Sequence, residues 1–171
     1  MMRILYQILR TGIVTEAMPR EINARIEAAG GRLEEAVKRR FRKSLTIRQV
    51  DAGSCNGCEL EIHALNNPLY NCERYGIRFT ASPRFADMLL VTGPVTHNME
   101  RALRRTYEAT PAPKLVVAVG DCACNGGIFG ESYASRGGIG KVIPVDVAVH
   151  GCPPDPFAIL SGIMKAIEEK R

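Results

Sequence analysis

The chain has 171 residues, 46% of them hydrophobic, with 23 Lys and Arg against 18 Asp and Glu for a net charge of +5. That is the size of one domain with an appended arm, with apolar residues enough for a core but no run of the ~18 needed to span a membrane. The positive balance comes without a recognition motif or a stacking pattern of aromatics, so no nucleic acid is expected as a partner. Met1-Met2-Arg3-Ile4-Leu5-Tyr6 has neither the length nor the cleavage site of a secretory signal, so a cytoplasmic chain is expected.

Residues 1–44 read as an N-terminal helical arm. Ile22, Ile26 and Ala29 recur at helical spacing, Gly30-Gly31 predicts an interruption, and Leu33, Val37 and Phe41 resume the stripe. The arm has too few apolar residues to bury a core of its own. It ends in Lys38-Arg39-Arg40-Phe41-Arg42-Lys43, which suits phosphate, anionic lipid or an acidic protein as readily as plain solvent.

Residues 45–171 change character and read as one domain. Strands are predicted at 45–50, 77–80, 86–91, 114–119 and 145–149. Helices are predicted from near Ser54 to Leu65, over 97–108, and over 155–170, the last with Phe157, Leu160, Ile163, Met164 and Ile167 as its apolar stripe. The run from Lys114 to Val119 is almost continuously apolar, as in a strand covered on both faces. Alternating strands and helices imply an α/β layer fold with a mostly parallel sheet.

Six cysteines in a chain without an export signal direct attention to metal or redox chemistry, because a reducing compartment disfavours structural disulfides. Cys55-x-x-Cys58, Gly120-Asp121-Cys122 and Gly151-Cys152-Pro153-Pro154 each follow a predicted strand. In an open parallel sheet the carboxyl ends of the strands share one edge, where ligands bind, so three distant segments would bring four thiolates together. A Cys-x-x-Cys pair alone fits a zinc knuckle, a thioredoxin-type pair or an iron–sulfur site. Zinc sites usually draw on two close pairs, whereas Cys122 and Cys152 are singletons in glycine-rich turns. Four thiolates from three loops favour an iron–sulfur cubane over zinc, with Gly53, Gly57, Gly120, Gly126, Gly127 and Gly151 giving it room.

Four ordered motifs carry a resemblance. Cys55-Asn56-Gly57-Cys58-Glu59-Leu60-Glu61, the stretch Ala86 to Thr96, Gly120-Asp121-Cys122-Ala123 with Gly126-Gly127, and Gly151-Cys152-Pro153-Pro154-Asp155-Pro156 resemble the small subunit of [NiFe] hydrogenases. The same set is shared with the cluster-bearing 20 kDa subunit of respiratory complex I. The resemblance covers roughly residues 45 to 170 and implies a flavodoxin-like fold with helices on both faces of the sheet. It also implies one [4Fe-4S] cluster on Cys55, Cys58, Cys122 and Cys152, and no catalytic residue in this chain.

In the complex I subunit the first two cysteines are adjacent; here two residues separate them, as in hydrogenases. The chain also ends about one helix after Gly151-Cys152-Pro153-Pro154, like the short small subunit of membrane-bound, energy-converting hydrogenases of the hydrogenase-4 and formate hydrogenlyase types. The partners so implied are a [NiFe] large subunit, a ferredoxin-like iron–sulfur subunit and the membrane subunits of an ion-translocating complex. The location so implied is the cytoplasmic side of the cell membrane, peripheral through those partners. The alternatives are a complex I-like subunit feeding quinone, and a zinc-stabilised assembly module without a redox role.

Other residues are weighed individually. Glu61, at a position where both related subunit types carry Glu, suits either proton movement toward a partner or an interface ion pair. His150 beside Cys152 suits proton coupling or an ordinary strand end. Arg84 suits loop support or partner contact. Glu59 is expected at the start of a helix, favouring its dipole, with no further role. Cys72 and Cys124 read as small packing residues, and His63 and His97 as surface or interface residues.

Overall fold

Two nearly continuous apolar runs, Met88-Leu89-Leu90-Val91-Thr92 and Leu115-Val116-Val117-Ala118-Val119, set the architecture. Such runs can be satisfied only in a sheet covered on both sides, and every residue in both is buried. The computed structural model describes residues 2–12 and 20–169. Its strands are β1 (Leu45–Asp51), β2 (Ile77–Phe79), β3 (Met88–Thr92), β4 (Leu115–Val119) and β5 (Val147–Val149). They form one sheet in the order β2-β1-β3-β4-β5, every neighbouring pair parallel. This is the flavodoxin order, whose chain reversal between β1 and β3 opens a crevice at the carboxyl ends of the strands.

The helices are α1 (Met2–Thr11), α2 (Arg20–Phe41), α3 (Gly57–Ala64), α4 (His97–Ala109), α5 (Asp121–Asn125) and α6 (Pro156–Glu169). Side chains alternate across the central strands and divide the core in two. Met88, Leu90, Val117 and Val119 pack with Leu33 and Val37 of α2, Ile62 of α3 and Ile159 and Ile163 of α6. Leu89, Val91, Val116 and Ala118 pack with Leu103 of α4, Ala123 of α5, and Ile139 and Ile143. Among the described residues no helix is long and apolar enough to cross a membrane.

Three expectations need correction. The interruption at Gly30-Gly31 is absent, and α2 runs through it. Glycine costs a helix about 1 kcal/mol relative to alanine, which burial of Ile26, Ala29, Leu33, Ala36 and Val37 outweighs. Gly30 also lies under a ring, since a Cβ built there would fall 2.1 Å from Cζ of Tyr75. Second, α3 starts at Gly57 rather than near Ser54. The preceding residues are drawn into a turn, where the Gly53 and Ser54 amides both donate to Asp51 Oδ1 at 2.7 Å and Asn56 is left-handed at φ 73°. Third, β5 begins at Val147, because Asp146 uses its carboxylate to accept from the Val116 amide at 2.7 Å while its own amide donates to Val116 O.

The expected arm consists of two unlike helices. Helix α2 supplies core residues, whereas α1 buries none of its side chains. Met1, residues 13–19 of the arm, and Lys170 and Arg171 after the closing helix lie outside the described residues.

Candidate metal centre

The carboxyl ends of β1, β3, β4 and β5 meet around a cavity of about 120 Å³. Its wall includes Cys55 from the turn after β1, Cys58 at the start of α3, Gly93 after β3, Cys122 in α5 after β4, and Cys152 after β5. All six cysteines are free thiols, and these four are the ones on the cavity wall. Among the described residues no group of three or more His, Cys, Asp or Glu closes tightly enough to hold a single metal ion; the four thiols stand around a space.

The loops are tied to one another by bonds that use no thiol. Gly120 N donates to Val149 O at 2.8 Å, and Asp121 N donates to Gly151 O at 2.9 Å. Asp121 Oδ1 in turn accepts from Gly151 N at 3.1 Å and meets His150 Nδ1 at 3.2 Å. These bonds set Cys122 beside Cys152. Gly120, at φ 90° and ψ 155°, brings the backbone so close that a Cβ there would sit 2.5 Å from Cys58 Sγ. That backbone region is essentially reserved for glycine.

At Cys58 and Cys122 the surroundings oppose an ionised thiol. Burial, then the charges of Glu59, Cys55, Cys122 and Cys152, push the Cys58 thiol up to about 12. Cys122 is raised by burial, then by Cys152, Cys55 and Asp121. Thiolate is the ligand form, so whatever occupies this space must bring positive charge and displace protons. An all-thiolate donor set around a glycine-lined cavity suits soft iron in a cluster.

The other flagged residues lie at varied distances. His150 is exposed and reaches the cavity only through Asp121. Glu61 is half-buried on α3, off the cavity wall, where with Asp155 it adds to the effect of burial in raising the Tyr70 hydroxyl. Arg84 is exposed in the 3₁₀ turn Pro83–Phe85, also away from the cavity. His63 and His97 are exposed. Cys72 is buried in the core under α2 and donates to Asn66 Oδ1 at 3.0 Å. Cys124, within α5, packs against the core on the opposite face.

Glu59 differs from its expectation as a helix-start carboxylate without further role. It is 5% exposed, accepts a hydrogen bond from Thr92 Oγ1 at the end of β3, and leaves Oε2 without a partner among the described residues. Asp121 was also missed, although its place directly before Cys122 was the available signal.

Comparison with known proteins places this geometry in context. Residues 55–166 match the family described as "NADH ubiquinone oxidoreductase, 20 Kd subunit". The probable membrane-bound hydrogenase subunit mbhJ of Pyrococcus furiosus is 47% identical over 127 residues, covering 74% of this chain and 76% of that protein. Formate hydrogenlyase subunit 7 of Escherichia coli is 42% identical over 135 residues, 79% of this chain but 53% of that longer protein. Among solved structures, a chain of the membrane-bound sulfane sulfur reductase, an archaeal respiratory membrane complex, superposes with a TM-score of 0.66 at 38% identity, covering 81% of this chain and 77% of that one.

Proposed function

The chain belongs to the family of the NADH ubiquinone oxidoreductase 20 kDa subunit, and on that footing we propose that it is the electron-transfer subunit of an energy-converting [NiFe] hydrogenase. Its relatives are subunits of oxidoreductase complexes, and it is a subunit of that kind rather than an enzyme by itself. The finer reading assigns Cys55, Cys58, Cys122 and Cys152 as ligands of one [4Fe-4S] cluster next to the nickel–iron site of a large subunit. A ferredoxin-like subunit and ion-translocating membrane subunits complete the complex, on the cytoplasmic side of the membrane.

The observation that carries this reading is the gathering of four thiols on one cavity wall by three strand ends. When bound, such a cluster supplies one-electron transfer. The chain's own residues position and insulate. Gly120 admits the Cys58 sulfur, Asp121 locks the Cys122 and Cys152 loops, and Pro153 closes the wall. The segments that carry the ligands also hold exposed apolar side chains, Leu60 at 61%, Ile128 at 88% and Phe129 at 51%. Apolar surface beside a redox site is the mark of a covering partner, here the large subunit. The separated Cys55–Cys58 pair favours hydrogen over quinone chemistry on the resemblance set out for these motifs.

Two measurements test the proposal. Anaerobically prepared protein should hold about four iron per chain, and serine at any of the four cavity cysteines should remove or distort the chromophore while serine at Cys72 leaves it. Zinc without a dithionite-bleachable chromophore would refute the cluster. The native complex should contain nickel and turn over hydrogen, while the isolated chain does neither. A nickel-free complex that reduces quinone or sulfane sulfur would move the chain to the other branches of its family.

A further inference from the structure

Helix α1 is built unlike the rest of the molecule. Met2, Ile4, Leu5, Tyr6, Ile8 and Leu9 all lie in this one helix, and their exposures run from 54% for Leu5 to 84% for Met2. At the 100° per residue of an α-helix, these six side chains fill an arc of about 200°. Arg3, Gln7, Arg10 and Thr11 share the remaining face, where the Thr11 hydroxyl caps back onto Gln7 O at 2.6 Å. The helix contains two arginines and no acidic residue, whereas α2 mixes Glu and Arg along its length.

We propose that α1 lies flat in the surface of an anionic phospholipid bilayer, apolar face in the acyl boundary, Arg3 and Arg10 at the headgroup phosphates. The length excludes spanning, since ten residues at about 1.5 Å each reach roughly 15 Å against a hydrocarbon core of about 30 Å. The width of the apolar arc exceeds the stripe of about 100° that a helix presents to a protein core, and suits immersion to mid-depth in an interface. The charge selects the surface: both ionised side chains are cations on the polar face, placed to extend toward phosphate. A second copy is the poorer occupant, because two such helices face to face gather four arginines and no carboxylate. This contact is independent of the electron-transfer reading and adds to any attachment through partner subunits.

The test uses the full-length chain carrying its metal centre, floated with vesicles of equal parts phosphatidylglycerol and phosphatidylcholine, or of phosphatidylcholine alone. Binding to the mixed vesicles is expected. With about a tenfold change for every 1.4 kcal/mol and about 1 kcal/mol per arginine, affinity for the neutral vesicles should be roughly thirtyfold weaker. The chain has no tryptophan, so Tyr6→Trp gives a single reporter whose emission should shift to the blue on binding. Leu5→Glu with Leu9→Glu should abolish flotation while iron content and visible spectrum stay as in the parent, because α1 buries nothing. Failure of the parent chain to float, or equal flotation of the double variant, overturns the proposal. So does a dimer in sedimentation that the double variant converts to monomer, which would give the face to a second copy. Capture by an integral membrane subunit without binding to vesicles would give it to protein. Iron content reports the cluster reading separately in every arm.

Discussion

Replacing Gly120 by alanine would test the cavity geometry at its tightest point. Gly120 sits at φ 90° and ψ 155°, a region that costs a side-chain-bearing residue on the order of 1–3 kcal/mol. The new Cβ would lie 2.5 Å from Cys58 Sγ, whereas ordinary contact begins at 3.4 Å, so one of the two must move by roughly 1 Å. Overpacking of that kind adds about 1–3 kcal/mol, which brings the sum to about 4 kcal/mol. Native domains are stable by about 5–15 kcal/mol, so the variant should still fold. Urea unfolding of the metal-free protein should show a midpoint lower by on the order of 2 M for a slope near 2 kcal/mol/M. A displacement of 1 Å exceeds the tolerance of about 0.2 Å for a metal–ligand distance, so iron content after reconstitution should fall well below the parent's. Gly140→Ala, which meets nothing within 4 Å and has no left-handed φ, serves as control and should match the parent in both assays. A Gly120→Ala protein with full iron, an unchanged spectrum and the control's midpoint would refute the close approach of these two loops.

Burial and then the charge of Glu73 push the Cys72 thiol up from its ordinary 9.0 to about 11. Because the folded value lies above the unfolded one, the stability tied to this thiol is complete below pH 9 and declines as pH rises through 11. The metal-free Cys72→Ala protein should therefore lose less stability between those values than the parent, and native Cys72 should escape alkylation at neutral pH while Cys55 and Cys152, both exposed, react. Thr92→Val removes the only donor seen on Glu59 among the described residues and should cost about 1–3 kcal/mol in urea unfolding, the penalty of an unpartnered buried acceptor. A Thr92→Val protein as stable as the parent would show that Glu59 is not buried as described.

The sheet was legible because its signal is periodic and local. Apolar runs at β3 and β4 and the helical stripes at α4 and α6 state their own burial, and alternating strands and helices imply a parallel sheet; the β2-β1-β3-β4-β5 order is that of the flavodoxin-like fold the resemblance implied. The cavity cysteines were legible because each follows a strand and all strands are parallel, so the edge they share is fixed by topology rather than by side-chain detail. Glu59 was not legible. The rule that carboxylates stay in water holds unless a specific partner waits inside, and that partner, Thr92, comes from another strand. Gly30-Gly31 misled for the opposite reason: helix propensity is a weak prior, and packing of α2 on both sides of the pair overrides it.

The arrangement of bonds around the cavity bears on the order of assembly. The turn holding Cys55 is closed by Asp51, and the loops holding Cys122 and Cys152 are closed on each other by Asp121 and Gly151. None of these bonds involves a thiol, so the cradle is shaped by backbone and carboxylate contacts. Burial, with neighbouring charge, pushes the Cys58 and Cys122 thiols up. The cradle is thus shaped by contacts within the chain. Two-state zinc modules, unfolded without metal, work the other way. A core on both faces of a five-stranded sheet supplies folding free energy that such modules draw from their metal.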